Sequence, residues 1–257
     1  MAKHSPRFSL LLALILFSVS GCASLRSSSE DSKAEAAKWV GLAEASLGDN
    51  DPVGALEALQ KAEQIEPEMA SVHHVRALAY LAKSDLSSAL ASIRRARELD
   101  PRDSVVATTM GKILMDANRF SEAEQVLLPA ARDPLYRGAF RARTNLGILN
   151  LRRGDLPAAR LHLDRAIQES PEQACVAYHF RGQVSIKQGR LREAIRDLER
   201  STQRLCAGYA EAELLLGSTL VSDRQYDRAR KQFLEIRQRF PGTQWAESAM
   251  DRLRGLP

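Results

Sequence analysis

The sequence predicts an all-α fold: a solenoid of about six helical hairpins closed by a C-terminal capping helix. Three observations lead there. An alanine followed four residues later by a large apolar residue recurs as Ala55/Leu59, Ala89/Ile93, Ala123/Leu127, Ala159/Leu163, Ala194/Leu198 and Ala229/Phe233, in steps of 34, 34, 36, 35 and 35 residues. A period near 34 is that of hairpin repeats, whose units bury their apolar faces only by stacking on neighbours. Ala, Leu, Arg and Glu are plentiful and aromatics make up only 5% of the chain, which favours helix. Turn-forming and proline residues punctuate the chain at the same period. At 257 residues the chain has room for one large domain or two ordinary ones; the repeat makes residues 36–257 one elongated array.

The elements follow in chain order. Lys3 and Arg7 precede an apolar stretch from Phe8 to Val19. That is shorter than the roughly 18–20 residues of a spanning helix and fits an export signal. The residues that follow, Val19-Ser20-Gly21-Cys22, resemble the lipobox of bacterial lipoproteins. The resemblance implies that residues 1–21 are cleaved, that the Cys22 thiol is diacylated and that the new amino terminus is acylated. Each buried CH₂ then adds about 0.8 kcal/mol of anchoring. The other reading is an ordinary signal with an incidental cysteine. Members of this family retained at the inner membrane tend to carry Asp after the cysteine; Ala23 implies the outer membrane, with the protein facing the periplasm. Residues 22–35 are polar and Ser-rich and read as a lipidated flexible tether.

Six copies of the repeat are expected at about 36–69, 70–103, 104–137, 140–173, 175–208 and 210–243. The first helix of each carries a small residue at one position: Ala43, Ala77, Gly111, Gly147, Gly182 and Gly217. A small residue there lets the two helices of a hairpin approach closely; a larger one overpacks the contact at roughly 1–3 kcal/mol. The inter-helix turns, such as Gly48-Asp49-Asn50-Asp51 and Arg153-Gly154-Asp155, are rich in residues that tolerate a left-handed backbone. Pro67, Pro101, Pro171 and Pro241 end the second helices. Residues 244–254 form the cap, with Trp245, Met250 and Leu253 covering the last apolar face. Two copies depart from the pattern: the third has two extra residues after Ala131-Arg132-Asp133-Pro134-Leu135-Tyr136, and the fifth has Cys206 where the closing proline stands elsewhere.

Trp39-x₂-Leu42-Ala43, the later Leu-Gly pairs and the Ala-x₃-apolar second helices together resemble the tetratricopeptide repeat. The resemblance implies a right-handed superhelix whose first helices line a concave groove. The groove-facing positions are then Val40 and Leu47 in the first copy and His74, Leu78 and Leu81 in the second. Lys112 and Met115 follow in the third, Arg141, Ile148 and Leu151 in the fourth, and His179 and Ile186 in the fifth. An apolar stripe with scattered basic residues suits an extended peptide or amphipathic helix. Val40 and Glu44 stand where some members grip a terminal carboxylate with Lys and Asn.

Catalytic chemistry has no sequence signature here. The chain contains no His-Glu-x-x-His, no Cys-x-x-Cys, no Gly-x-Ser-x-Gly and no phosphate-cradling glycine loop. The neighbouring His73 and His74 point about 100° apart on a helix and cannot share a metal. No enzyme activity, metal, cofactor or small-molecule substrate is expected; the histidines read as packing or surface residues. Cys175 and Cys206 sit at the two adjacent ends of the fifth hairpin. They form a disulfide in an oxidising compartment or remain two buried thiols. The net charge of +5 falls by two when Lys3 and Arg7 leave with the leader, which is too mild for a nucleic-acid partner. The Arg-rich stretches 137–165 and 190–204 are interspersed with acids. They read as helix surfaces with i,i+4 pairs, or as a basic face toward anionic lipid, cell-wall polymer or an acidic partner.

The third and fourth copies carry a finer resemblance. Ala131-Arg132-Asp133-Pro134-Leu135-Tyr136, Arg141, Asn145-Leu146-Gly147-Ile148 and Arg153-Gly154-Asp155 look like the pilotin lipoproteins of type IV pilus biogenesis. The chain departs from that family at Thr109-Met110-Gly111 and in lacking a proline after Leu135-Tyr136. The resemblance implies a non-enzymatic outer-membrane lipoprotein that binds secretin subunits and promotes their insertion and multimerisation. The alternative, from Phe240-Pro241-Gly242-Thr243 and the Ala-containing helix after it, is a repeat lipoprotein that scaffolds outer-membrane barrel assembly or cell-wall hydrolases.

Overall fold

A computed structural model gives the structure of the protein and describes residues 30–257. The leader, Cys22 and the tether as far as residue 29 lie outside the described residues. Among those described, thirteen α-helices and one short 3₁₀ turn make up the regular structure, with no strand. The chain divides into two compact units. The first runs up to Arg102 and holds two hairpins: α1 (30–48) with α2 (Pro52–Ile65), and α3 (Ala70–Ala82) with α4 (Leu86–Leu99). The second, Asp103–Pro257, holds four. They are α5 (Ser104–Asp116) with α6 (Phe120–Arg132), α7 (Ala139–Arg153) with α8 (Leu156–Glu169), α9 (Cys175–Lys187) with α10 (Leu191–Arg200), and α11 (Ala210–Ser222) with α12 (Tyr226–Arg239). The helix α13 (Gln244–Arg254) follows. The six hairpins and the cap fall where the repeat placed them, but the array is divided after the second hairpin, at the turn Pro101-Arg102-Asp103.

The expected tether boundary is corrected at its C-terminal end. Residues 30–35 are helical and open α1. Ala36, Val40 and Ala43 lie at i, i+4 and i+7 and are buried, so one face of this helix has a core to meet. Glu30 and Asp31 place acid at its N-terminal end, where the helix dipole favours it. The Ser32 hydroxyl donates to the Glu66 carboxylate just after α2.

In the four hairpins that carry glycine at the small position, that residue meets the large apolar residue of the Ala-x₃-apolar pair. A Cβ added to Gly147 would lie 2.5 Å from Leu163 Cγ and 3.3 Å from the Ala159 carbonyl oxygen; at Gly217 it would lie 2.4 Å from Phe233 Cε1. Ala55, Leu59, Ala159, Leu163, Ala229 and Phe233 are fully buried. In the first unit, Trp39 and Leu47 pack against a core built from α1, α2 and α3. At the far end of the second unit, Trp245 and Leu253 of α13 pack on Leu216, Phe233 and Ile236, so the cap shields the last hairpin from water.

The six inter-helix turns share one geometry. A backbone N–H reaches the carbonyl five residues earlier at 2.8–2.9 Å: Asp51 to Ser46, Asp85 to Tyr80, Arg119 to Leu114, Asp155 to Asn150, Arg190 to Ser185 and Gln225 to Leu220. This is the Schellman ending, with one left-handed residue per turn. Asn50, Asn118, Gly154 and Gly189 take it, and so do Ser84 and Arg224 with φ of 59° and 60°. In three hairpins an aspartate then caps the second helix, Asp51 accepting from Gly54 N, Asp85 from Ser88 N and Asp155 from Ala158 N. Pro67, Pro101, Pro171 and Pro241 each follow the residue that ends a second helix; the residue before a proline is kept out of the α region.

The fifth hairpin differs from expectation. Cys206 does not end its second helix. α10 stops at Arg200 after 10 residues, and Cys206 closes the 3₁₀ turn Arg204–Cys206. That turn starts from Arg204 at φ 54°. Cys206 is bonded to Cys175 at the start of α9, with Cα atoms 5.3 Å apart.

Candidate protein-binding surfaces

The residues expected to line a groove separate into two sets. Val40, Met115, Ile148, Leu151 and His179 are buried and present no side chain to a partner. Leu47, His74, Leu78, Leu81 and Ile186 are half-buried, and Lys112 and Arg141 are exposed. The reason is visible in the second unit, where α5 packs on α7 and α7 on α9. The Asn145 side chain of α7 donates to the Thr108 carbonyl of α5 at 3.4 Å, and Arg152 Nη1 donates to the Met115 carbonyl at 3.0 Å. A neighbouring helix thus covers the positions that an isolated hairpin would expose. What remains open on α5 is mixed: Val105 is 45% exposed, Lys112 pairs with Asp116 at 2.8 Å, and Arg152 approaches Asp116 at 3.7 Å. The open first-helix surface therefore keeps apolar side chains, Val105 and Val176 among them, beside the charged Lys112 and Arg141.

His179 is a core residue. Its ring meets Tyr209 with centroids 4.9 Å apart, and the Gln183 side-chain nitrogen lies 2.7 Å from Nε2. An amide NH₂ only donates, so Nε2 accepts and the ring is neutral. Burial pushes its pKa down to about 4. The same burial, with the Glu211 charge nearby, raises the Tyr209 phenol to about 12.

The Arg-rich stretches mostly bridge helices, and i,i+4 pairs are few. Arg153 reaches Glu124 at 2.6 Å and Arg160 reaches Glu193 at 3.0 Å; Arg143 pairs with Glu169 and Arg228 with Glu199. Arg181 is the centre of a three-helix clamp. It holds Asp197 with two bonds of 2.8 and 2.6 Å and Asp164 with one of 2.7 Å. Neither this clamp nor the bond of 2.5 Å between exposed Arg239 and buried Glu213 is expected from the sequence. Burial raises the Glu213 carboxyl and the Arg239 charge opposes that shift. A signal existed in both cases. Arg181 fills the place of a consensus leucine, and Glu213 the place that Trp39 holds in the first copy.

The insertion after α6 builds an exposed apolar point. Asp133 accepts from the Ser104 hydroxyl at 2.6 Å and from Leu135 N at 2.9 Å. These bonds hold the Asp133 carboxyl below the usual carboxylate range, the Ser104 bond most of all. They brace a turn whose tip, Leu135, is 90% exposed. At that exposure the Leu135 side chain has no packing role in the fold.

Among the described residues no group of His, Cys, Asp or Glu is arranged to hold a metal, and no helix is long and apolar enough to cross a membrane. Stacked hairpins whose open first-helix surfaces mix apolar and charged side chains define a helical-repeat protein of the kind that works by binding other proteins. A profile of the tetratricopeptide repeat matches residues 108–174 and 181–242, half of the chain in all, and the chain belongs to the tetratricopeptide repeat family. In sequence it is similar to the type IV pilus assembly protein PilF of Pseudomonas aeruginosa, 29% identical over 119 residues, a match that spans 46% of this chain and 47% of that relative. Among solved structures, Pseudomonas aeruginosa PilF aligns over 86% of this chain and 99% of its own, with a TM-score of 0.68 and 22% identity. PilW, described as a widely conserved type IV pilus biogenesis factor, aligns over 84% and 98%, with a TM-score of 0.72 and 20% identity. The Cut9–Hcn1 hetero-tetramer of the APC/C gives 0.73 at 15% identity, over 85% of this chain and 42% of that one. At these identities the structural likeness concerns the fold, which pilus and unrelated proteins share. The chain is a tetratricopeptide repeat protein, similar in sequence to PilF over less than half of its length and similar to PilW in fold.

Proposed function

We propose that the protein serves type IV pilus biogenesis as a non-enzymatic, lipid-anchored adaptor. It binds secretin subunits at the outer membrane and promotes their insertion and multimerisation. The similarity in sequence to PilF carries this reading; the lipobox around Cys22 and the residues 131–155 agree with it. The mechanism is physical. Acylation of Cys22 keeps the repeat array at the membrane surface, so a captured subunit meets the bilayer at a raised effective concentration. The braced turn of the third repeat supplies an apolar contact through Leu135, with the exposed Lys112 and Arg141 of the same unit as further candidates.

The test is deletion of the gene, followed by electrophoresis of heat-stable secretin multimers and an assay of pilus extension. Both fall on deletion and return with the wild-type protein. A Cys22→Ser protein neither incorporates labelled palmitate nor restores the multimers, and Leu135→Asp restores them poorly while melting normally. Normal multimers and pili without the protein would remove the reading; a defect confined to outer-membrane barrel assembly or cell-wall hydrolysis would replace it.

A further inference from the structure

The short second helix of the fifth hairpin leaves a cleft that neither the repeat pattern nor the pilus reading uses. α10 has 10 residues where the other second helices have 13 or 14. The chain then turns back through Arg204–Cys206, and the disulfide to Cys175 fixes that turn against the start of α9. Two adjoining hollows of about 320 and 230 Å³ lie beside the truncated end and share Tyr178, Arg200 and Gln203.

Four arginines and three carboxylates line this cleft, Arg181, Arg196, Arg200 and Arg204 against Glu172, Asp197 and Glu199. Its carboxylates already have cations: Asp197 is held by Arg181 at 2.6 Å, Glu199 by Arg228, and Glu172 lies 3.5 Å from Arg204. Arg196 and Arg200 also line it and are exposed. Four residues apart, they are neighbours on one face of α10. Among the described residues neither has a carboxylate within ion-pair distance. Two adjacent guanidinium groups match paired carboxylates, each able to take two parallel hydrogen bonds, and the half-buried Tyr178 ring beside them offers an apolar surface. A recess bounded by a helix end and a pinned turn admits a protruding chain, whereas a flat bilayer surface meets only its rim.

We propose that this cleft binds an acidic segment of a protein partner, with its carboxylates on Arg196 and Arg200. The chemistry stands whether or not the protein serves pilus assembly. Fluorescence anisotropy of fluorescein-labelled octaglutamate, with the full chain in dodecyl maltoside at about 150 mM salt, tests it. The expected result is saturable one-to-one binding that weakens about tenfold or more in Arg196→Glu/Arg200→Glu. A charge-matched control on other helices, Arg94→Glu/Arg237→Glu, keeps it. Thermal melting checks each variant, and Arg196→Gln/Arg200→Gln gives a loss in the same direction should the reversal disturb folding. Binding that survives both substitutions at the cleft, or that falls equally in the control, overturns the proposal. Displacement of the peptide by dihexanoyl phosphatidylglycerol below its micelle concentration also overturns it, since the site would then be one for lipid phosphate.

Discussion

His179 couples the packing of α9 to pH. Its ring is fully buried, accepts from Gln183 and is held neutral with a pKa of about 4, against an unfolded value of 6.5. As pH falls, the unfolded chain takes up this proton first, so the stabilising contribution is complete above about 6.5 and is lost as pH falls toward 4. The shift corresponds to about 3 kcal/mol across that window. Urea unfolding at a series of pH values is expected to show stability declining between pH 6.5 and 4, and His179→Gln to flatten that part of the curve. An unchanged slope in the variant would assign the decline to other groups. Residues of this kind explain why the groove positions were only partly legible. The repeat assigns a side chain to one side of its helix, but the next helix in the stack decides whether that side stays open. Lys112 and Arg141 stay open, whereas Met115 and His179 are covered.

The hairpin is the element on which the fold depends, and its tolerance is set where the two helices touch. Gly217 faces the ring of Phe233, and a methyl group there would lie 2.4–3.0 Å from three ring atoms. The ring is fully buried, and protein interiors are close-packed. Gly217→Ala is expected to cost about 1–3 kcal/mol in urea unfolding. Alanine at Gly48, whose Cβ would meet nothing within 4 Å, sets the baseline. A cost equal to that of Gly48→Ala would mean that the hairpin separates without penalty. This contact was legible because its residues recur: four glycines and two alanines at one repeat position, with the glycines each facing the large residue of an Ala-x₃-apolar pair. The inter-helix turns were legible for the same reason, although Ser84 and Arg224 hold the left-handed conformation against their own preference. There the Schellman hydrogen bonds, made in every hairpin, override the residue.

At the scale of the whole molecule, the disulfide acts on the unfolded chain as much as on the folded one. Cys175 and Cys206 are 31 residues apart, and closing a loop of that size removes unfolded-state entropy worth about 3–4 kcal/mol in the chain-entropy model. Cys175→Ser/Cys206→Ser is expected to lower stability by about that amount, and dithiothreitol to lower the melting temperature of the wild-type protein but not of the variant. Two reactive thiols in the non-reduced protein would show the bond to be absent in solution. The pairing was legible as one of two alternatives, because a hairpin brings its ends together. The truncation of α10 was not legible, since its residues Leu191-Arg192-Glu193-Ala194-Ile195-Arg196 continue the repeat pattern without a break.

The sequence by itself determined the class of helices, their number, the hairpin pairing and the cap, because a hairpin that cannot bury its apolar face alone must repeat the same contact residues at a fixed interval. Only the tertiary structure decided which side chains meet solvent, which arginines are spent on neighbouring helices, and where two units part. Those outcomes depend on atoms brought close by stacking. Their partners lie 16 to 33 residues away for Arg181–Asp197 and Arg160–Glu193, in pairings that no local pattern encodes.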